Sequence, residues 1–317
     1  MPIVPSRYRA PAFLPGGHLQ TIYPALFRRL PVVTTRRERL ELPDGDFLDL
    51  DWAGQGGARL AILSHGLEAS SKATYIQGMA AALIRRGWDV LAWNYRGCSG
   101  EPNRLLRFYH SGASDDLDHV VRHALAVHPA ERIDLVGFSL GGNMTLKYLG
   151  EREVPSRVHR AVAFSVPCDL ACSSRNLSSP ANRLYMDRFL RCLRAKLVAK
   201  QPRFPDRIDL GKMAGVRDFR GFDDRFTAPL HGFRDAEDYW ARSSSRPFLS
   251  RISVPALLVN AANDPFLGPR CYPREEAEAS ACFHLEVPED GGHCGFAAGG
   301  GEYGSERRAV EFLGHQY

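Results

Sequence analysis

The sequence of 317 residues lacks the features that indicate a membrane-spanning, secreted or repetitive protein. No apolar run approaches the ~20 residues of a membrane-spanning helix. Prolines at positions 2, 5, 11 and 15 interrupt the charged-then-apolar pattern of a signal peptide. There is no internal repeat, and the seven cysteines are an odd number without the spacing of a disulfide framework. We therefore expect a cytoplasmic globular protein with free thiols.

The sequence also lacks the motifs of common metal and nucleic-acid sites. His119 and His123 are four residues apart on a predicted helix, but Val120 stands where a metalloprotease has its glutamate. Cys168 and Cys172 have neither the spacing nor the second pair of a zinc ribbon. Basic residues are not interleaved with aromatic residues on a nucleic-acid-binding motif. We therefore expect no metal, no cofactor and no nucleic-acid partner.

What the sequence does contain is a regular alternation of strand and helix patterns, with enough apolar residues, 44%, for one sizeable core. The predicted strands cover residues 37–42, 47–52, 59–64, 88–94, 132–138, 159–166, 254–260 and 282–287. The predicted helices cover residues 73–86, 114–127, 140–150 and 273–280, and a last one begins near Ser305. This alternation predicts an α/β fold, a mostly parallel central sheet with helices on both faces.

One strand-to-helix corner carries the pattern of a catalytic serine. Residues 137–141, Gly-Phe-Ser-Leu-Gly, follow an apolar strand and precede a helix, which is the arrangement of the nucleophile elbow in G-x-S-x-G hydrolases. Glycine tolerates the strained backbone of so tight a turn. The turn would lift the Ser139 hydroxyl above the sheet at a helix N-terminus, where the helix dipole favours negative charge. A structural Gly-Ser-Gly corner without activity is the alternative.

A serine hydroxyl becomes a nucleophile only with a base and a group that orients the base. In this architecture the chain order is serine, then Asp or Glu, then histidine. Asp264 follows a predicted strand 125 residues after Ser139, and His293 lies in a glycine-rich loop 29 residues further on. The long gap leaves room for an insertion, and the short one fits a strand-helix-strand step. We predict a Ser139–Asp264–His293 triad.

Two backbone N–H groups are candidates for the oxyanion hole. The predicted strand 59–64 leads into His65 and Gly66, and such enzymes supply one N–H from this loop, here that of Leu67. Leu140, the residue after the predicted nucleophile, would supply the other. Each such donor lowers the barrier by about 3–4 kcal/mol.

These motifs resemble those of the YheT-type branch of the α/β-hydrolases, which are described as carboxylesterases. The matching segments are residues 17–24, 65–68, 94–103, 137–143, 263–266 and 291–296. The strings Gly-His-Leu-Gln-Thr and Arg-Gly-Cys-Ser-Gly-Glu-Pro-Asn are specific to this branch, and the triad motifs are common to the superfamily. The resemblance implies an α/β-hydrolase fold and a triad that acts on esters. Ala69 stands where a glycine is frequent in the branch, a change that leaves the Leu67 amide available.

Within that family, eukaryotic members hydrolyse membrane lipids, and fungal members make medium-chain ethyl esters from acyl-CoA. The resemblance therefore implies a serine carboxylesterase that cleaves short- to medium-chain or lipid esters through an acyl-enzyme on Ser139. Acyl transfer from acyl-CoA to an alcohol is the same reaction with another acceptor. The alternative from a different class is a non-catalytic protein that keeps the fold and binds a lipid or a partner.

The alternation is interrupted at residues 168–248, where a helical pattern at 182–199 is followed by loops. We predict that this segment is a lid inserted between core segments 36–167 and 249–317, and that residues 1–35 are an extension packing on the core. Residues 1–39 carry seven arginines and one glutamate, and residues 168–248 carry sixteen basic and ten acidic residues. These arginines either keep the loops solvated or form a cationic rim that attracts an anionic membrane surface or a CoA thioester.

Overall fold

The computed structural model describes residues 2–30, 33–299 and 301–314. Its strands are β1 (Ile3–Val4), β2 (Arg36–Glu41), β3 (Phe47–Ala53), β4 (Arg59–Ser64), β5 (Asp89–Asn94), β6 (Arg132–Phe138), β7 (Val158–Phe164), β8 (Ala256–Val259) and β9 (Phe283–Glu286). Its α-helices are α1 (Gly16–Phe27), α2 (Thr74–Ile84), α3 (Ser114–Val127), α4 (Leu140–Glu151), α5 (Leu170–Leu177), α6 (Arg183–Lys200), α7 (Phe219–Phe222), α8 (Ala228–His231), α9 (Ala236–Ser243), α10 (Arg274–Glu278) and α11 (Gly304–Gly314).

The strands of the described residues form one sheet in the order β1-β9-β8-β7-β6-β4-β5-β3-β2. The strand β3 is antiparallel to both of its neighbours, β2 and β5. The other neighbouring pairs are parallel. Parallel strands joined by crossover helices bring their carboxyl ends to the same edge of the sheet. The predicted loops that carry the candidate residues therefore leave the sheet at one edge.

The two faces of the sheet carry separate apolar cores. Consecutive residues of a strand point to opposite faces, so Leu60 and Ile62 of β4 belong to one core while Ala61 and Leu63 belong to the other. Residues of α3 and α4 complete the first core, and residues of α2 and α11 complete the second. A strand buried on both faces has a continuous apolar sequence. The prediction of a mostly parallel sheet with helices on both faces is confirmed.

Residues 168–248 contain more helix than the sequence predicted. The predicted helix at 182–199 is α6, but the residues after it form short helices and turns instead of loops alone. Asp218 and Asp235 explain two of these helices, because each carboxylate accepts a backbone N–H from the first turn and caps the helix N-terminus. The segment also contributes most of a further apolar cluster, with Met186, Leu190 and Phe222 among its members.

The N-terminal residues pack against the sheet edge and the loops at its carboxyl end. Strand β1 pairs with β9 in parallel, and α1 lies within residues 1–35, the predicted extension. The division into extension, core and lid stays a prediction, and its residues 1, 31–32, 300 and 315–317 lie outside the described residues. All seven cysteines are free thiols. Within the described ranges, no helix combines the length and the apolar composition that crossing a bilayer requires.

Candidate active site

Ser139 occupies the corner between β6 and α4 in a strained backbone conformation, with φ 53° and ψ −119°. Such a conformation costs a non-glycine residue about 1–3 kcal/mol. A Cβ atom on Gly137 would lie 2.6 Å from the carbonyl oxygen of Gly141, and one on Gly141 would lie 2.4 Å from that of Ser64. Backbone crowding on both sides of the serine is therefore the physical reason for the two glycines in the motif.

The three side chains predicted as a triad form a continuous chain of contacts, in which His293 lies within hydrogen-bond distance of both Ser139 and Asp264. Ser139 Oγ is 2.9 Å from His293 Nε2. His293 Nδ1 is 2.9 and 3.1 Å from the two carboxylate oxygens of Asp264. The Asp264 side chain is fully buried and that of His293 is 10% exposed. The carboxylate also accepts the N–H of Phe266, whose ring stacks on the imidazole, so both the acid and the ring are fixed in place.

The electrostatic environment favours the protonated form of His293. Burial lowers the pKa of the imidazole, but the charge of Asp264 and its hydrogen bond act in the opposite direction, and the net pKa is raised from 6.5. A buried carboxylate beside an imidazole has this effect because it stabilises the imidazolium. The pair can therefore hold the proton that a serine hydroxyl would release.

Leu67 and Leu140 are among the residues that border the pocket containing Ser139 and His293. On either side of Leu67, the N–H of Gly66 donates to the Tyr75 hydroxyl and the N–H of Glu68 donates to the Tyr109 hydroxyl. These two bonds hold the loop on both sides of the Leu67 amide. Leu140 is the first residue of α4, where an N–H has no acceptor within the helix.

Comparisons with known proteins decide the family. A family model described as the alpha/beta hydrolase fold matches residues 62–299. This chain is an α/β-hydrolase. YheT of Escherichia coli (strain K12), which bears the name of an esterase, is 38% identical over 289 residues, covering 89% of this hydrolase and 84% of YheT. The resemblance that the motifs predicted is thereby confirmed.

Other relatives of the hydrolase match most of its length. Phospholipase ABHD3 of Mus musculus is 29% identical over 308 residues, covering 94% of the hydrolase and 75% of that protein. Among solved structures, the Pyrococcus furiosus esterase Pf2001 superposes with a TM-score of 0.61, covering 89% of the hydrolase and 91% of that chain. The sequence identity in that comparison is 19%, so it shows the fold alone.

Helix α1 of the hydrolase contacts the loops that carry Asp264 and His293, and the sequence did not predict this. The Gln20 side chain, 1% exposed, accepts hydrogen bonds from Asn263 Nδ2 at 3.0 Å and from the N–H of Gly291 at 2.7 Å. Its amide nitrogen donates to Asp290 Oδ1 at 3.1 Å. One buried amide thus connects the loop of the acid to the loop of the histidine.

The next residue of α1 contacts the histidine itself. Thr21 Oγ1 accepts the N–H of His293 at 2.8 Å and donates to the carbonyl oxygen of Gly17 at 2.7 Å. A Cβ atom on Gly17 would lie 1.8 Å from the carbonyl oxygen of Asn263, so α1 approaches that loop as closely as glycine allows. Residues 17, 20 and 21 share one helix face, and this spacing of small and polar residues is the signal that could have found them.

Glu68, beside the Leu67 amide, is held by a second group of side chains that the sequence did not predict. Glu68 has φ 53°, and its carboxylate accepts hydrogen bonds from the Tyr109 hydroxyl at 2.7 Å and from Lys196 Nζ at 2.8 Å. Lys196 belongs to α6 and is also 3.0 Å from Cys98 Sγ. This ion pair joins the 168–248 segment to the loop of Glu68, which precedes Lys196 by 128 residues.

Ser139 and His293 border two cavities of the hydrolase. An inner pocket of about 130 Å³ lies under the 168–248 segment. Its apolar lining includes Leu177, Phe189, Leu193, Phe219, Phe222 and Phe226. An outer cleft of about 660 Å³ lies between α1, the loop around residues 66–74 and α6, and its lining includes Lys72 and Arg188. The candidate nucleophile thus stands between a narrow apolar space and a wider space with basic groups.

Proposed function

We propose that this hydrolase is a serine carboxylesterase that cleaves lipid or short- to medium-chain esters through an acyl-enzyme on Ser139. The observation that carries the proposal is the chain of contacts from Ser139 Oγ to His293 Nε2 and from His293 Nδ1 to the buried Asp264 carboxylate. The names of the relatives YheT, an esterase, and ABHD3, a phospholipase, support ester hydrolysis as the reaction class.

In the proposed mechanism, His293 Nε2 takes the Ser139 proton while Oγ attacks the ester carbonyl carbon. Asp264 keeps the other ring nitrogen protonated and stabilises the imidazolium that forms. The tetrahedral oxyanion accepts hydrogen bonds from the N–H groups of Leu67 and Leu140. As the intermediate collapses, the carbon–oxygen bond to the alcohol breaks, and the imidazolium gives its proton to the leaving oxygen.

The second half of the reaction repeats these steps with water. His293 takes a proton from a water molecule whose oxygen attacks the acyl carbon, and the bond to Ser139 Oγ then breaks as the serine recovers its proton. An alcohol in place of water gives a new ester, so acyl transfer uses the same residues. The ratio of acid to ester products in the presence of a competing alcohol measures which acceptor the site favours.

The two cavities support an assignment of the two parts of the substrate. Aromatic and aliphatic side chains line the inner pocket, which suits the acyl chain because apolar surface is removed from water there. The outer cleft is wider and contains Lys72 and Arg188, which suits an alcohol part that carries negative charge, such as a phosphate headgroup. A lipid ester has both an apolar acyl chain for the inner pocket and a charged alcohol part for the outer cleft.

A fluorophosphonate probe tests the proposal, because it reacts covalently with an activated serine. We expect the wild-type protein to be labelled and Ser139→Ala to remain unlabelled. Ser250, an exposed serine outside both cavities, supplies the matched control Ser250→Ala, which should be labelled like wild type. Absence of labelling in folded wild-type protein would favour the non-catalytic binding protein. A series of p-nitrophenyl esters then gives the preferred chain length.

A further inference from the structure

Helix α1 has its polar and apolar faces arranged in the reverse of the usual sense. Gln20 is buried against the site loops, whereas Leu19, Leu26 and Phe27 are 47%, 64% and 63% exposed. Phe13, just before the helix, is 68% exposed. Positions 19 and 26 lie on one stripe of the helix. The Tyr23 ring contacts the rings of Phe13 and Phe27, so these side chains extend the apolar surface around the end of the helix. Such a surface on a folded protein marks a site of interaction.

Helix α6 continues this surface with apolar and basic side chains. It meets α1 where His18 Nδ1 lies 3.1 Å from the Tyr185 hydroxyl. Next to this contact, Leu184 is 81% exposed. Arg188 and Arg191 follow at the i+4 and i+7 positions on the same stripe of the helix, both exposed. Neither arginine joins an ion pair among those formed by the described residues, so both charges face solvent.

The outer cleft opens between these two helices. Leu26 of α1, Arg188 of α6, Ser139 and His293 are among the residues that line it. An ester in the cleft therefore lies close to apolar and basic side chains as well as to the serine. We refer to the surface around this opening as the docking face, defined by Phe13, Leu26, Phe27, Leu184, Arg188 and Arg191.

We propose that the docking face binds the surface of a bilayer that contains anionic lipids, and that the bound enzyme takes its ester from that bilayer through the outer cleft. The second clause rests on the proposed function, whereas the first does not. Amphipathic helices bind a membrane interface by inserting apolar side chains among the lipid chains and placing basic side chains at the headgroups. The docking face presents the same two kinds of side chain.

Charge favours a bilayer over a second copy of this chain as the occupant. Two copies docked face to face would bring the Arg188 and Arg191 stripes against each other, and like charges in an interface oppose association. Anionic headgroups carry the opposite charge. Residues 168–248 as a whole carry sixteen basic and ten acidic residues, so the wider surroundings of the docking face act in the same direction.

Vesicle sedimentation tests the docking face. The protein carries Ser139→Ala so that lipid is not consumed, and the vesicles are pure phosphatidylcholine or phosphatidylcholine mixed equally with phosphatidylglycerol, at low salt. We expect strong binding to the anionic vesicles, a loss of about tenfold in Phe27→Asp, and a loss of about fivefold for each arginine replaced by glutamate. High salt should weaken the binding, because it screens the arginines.

Val127 supplies the matched control, because it is an apolar side chain, 55% exposed, at the end of α3 and outside the docking face. Val127→Asp should bind anionic vesicles as strongly as the protein without this change. Equal binding to neutral and anionic vesicles, or full binding by Phe27→Asp, would overturn the proposal. So would a concentration-dependent dimer in sedimentation velocity that Phe27→Asp abolishes, since the occupant would then be a second copy.

A soluble substrate separates this proposal from the proposed function. Phe27→Asp, without the Ser139 change, should hydrolyse a short p-nitrophenyl ester at the wild-type rate and lose activity only on esters held in anionic vesicles. Vesicle binding without any ester turnover would overturn the esterase and leave the docking face intact. Turnover of the soluble ester with no vesicle binding would overturn the docking face and leave the esterase intact.

Discussion

The hydroxyl of Thr21 provides a sharp test of whether α1 controls the geometry of the candidate histidine. Its Oγ1 accepts the N–H of His293 at 2.8 Å. The residue after the histidine, Cys294, has φ 56°, so the loop is strained and needs bonds from outside to hold it. Thr21→Val removes this acceptor while nearly preserving the shape of the side chain.

The magnitude follows from the hydrogen bond that is lost. A partly buried N–H left without a partner costs about 1–3 kcal/mol. If that cost moves the histidine away from Ser139, it appears in the rate, and the range corresponds to about 5- to 150-fold in kcat. Thr21 borders the outer cleft but not the inner pocket, so KM should change little for an ester whose binding depends mainly on its acyl chain. The assay is steady-state hydrolysis of a p-nitrophenyl ester, with thermal unfolding as the check on folding.

Thr21→Ser is the matched control, because it loses a methyl group and keeps the hydroxyl that bonds to His293. We expect it to retain most of the wild-type kcat. Two results would refute the reasoning: a kcat for Thr21→Val equal to that of wild type, or equal losses in the valine and serine variants. A fall in melting temperature with unchanged kcat would show that the bond stabilises the fold without positioning the histidine.

Three further predictions concern the acid, the elbow and the inner pocket. Asp264 raises the pKa of His293, and the neutral imidazole is the base, so kcat/KM should rise with pH through an apparent pKa above 6.5. The Asp264→Asn variant should shift this rise to lower pH and reduce the rate by about 10⁴-fold. Gly141→Ala should prevent folding or sharply lower the melting temperature, because its Cβ would lie 2.4 Å from a backbone oxygen of Ser64. Phe222→Ala should enlarge the inner pocket and move the preference in a p-nitrophenyl ester series towards longer acyl chains.

Each of these predictions has a control and a contradicting outcome. A pH profile that does not move in Asp264→Asn would show that the carboxylate does not set the pKa of the base. Gly299 is the control for Gly141, because an added Cβ atom at Gly299 would meet no heavy atom within 4 Å. It should accept alanine without loss of stability. Ile208 belongs to the same apolar cluster as Phe222 but does not line the inner pocket. Ile208→Ala should therefore lower stability by about 2–5 kcal/mol without changing chain-length preference.

The features that could be predicted from the sequence are those determined by local constraints. The elbow was predictable because a side chain on Gly137 or Gly141 would collide with backbone atoms within a few residues or in the adjacent strand. The positions of Asp264 and His293 were predictable because parallel strands deliver their loops to one edge of the sheet. The central strands were predictable because burial on both faces requires a continuous apolar sequence.

The features that could not be predicted depend on partners far away in the chain. Gln20 contacts Gly291 across 271 residues, and Lys196 contacts Glu68 across 128 residues. The spacing of Gly17, Gln20 and Thr21 indicates a polar helix face but not the residues that it contacts, and nothing local to Lys196 distinguishes it from the other basic residues of α6. The orientation of α1 was unpredictable for the opposite reason, because the usual rule would bury Leu26 and Phe27 and expose Gln20.

The strained residues of the described chain suggest why the site depends on its surroundings. The non-glycine residues with positive φ are Glu68, Ser139, Ser165, Cys294 and Phe296. All of them lie in or beside the loops of the proposed oxyanion hole, nucleophile and base. Backbone strain persists only where the surrounding structure holds the strained residues in place. Many of the hydrogen bonds that do so come from residues outside these loops.

For Glu68 the support is Tyr109 and Lys196, and for the histidine loop it is Thr21 and Gln20. One face of α1 therefore fixes the loops of the acid and the base, while Leu26, on the other side of the helix, belongs to the proposed docking face. If a bilayer binds this helix, only the helix itself lies between the bilayer and the loop of His293. Membrane contact and catalysis would then depend on the same helix, even though the motifs of the triad lie elsewhere in the chain.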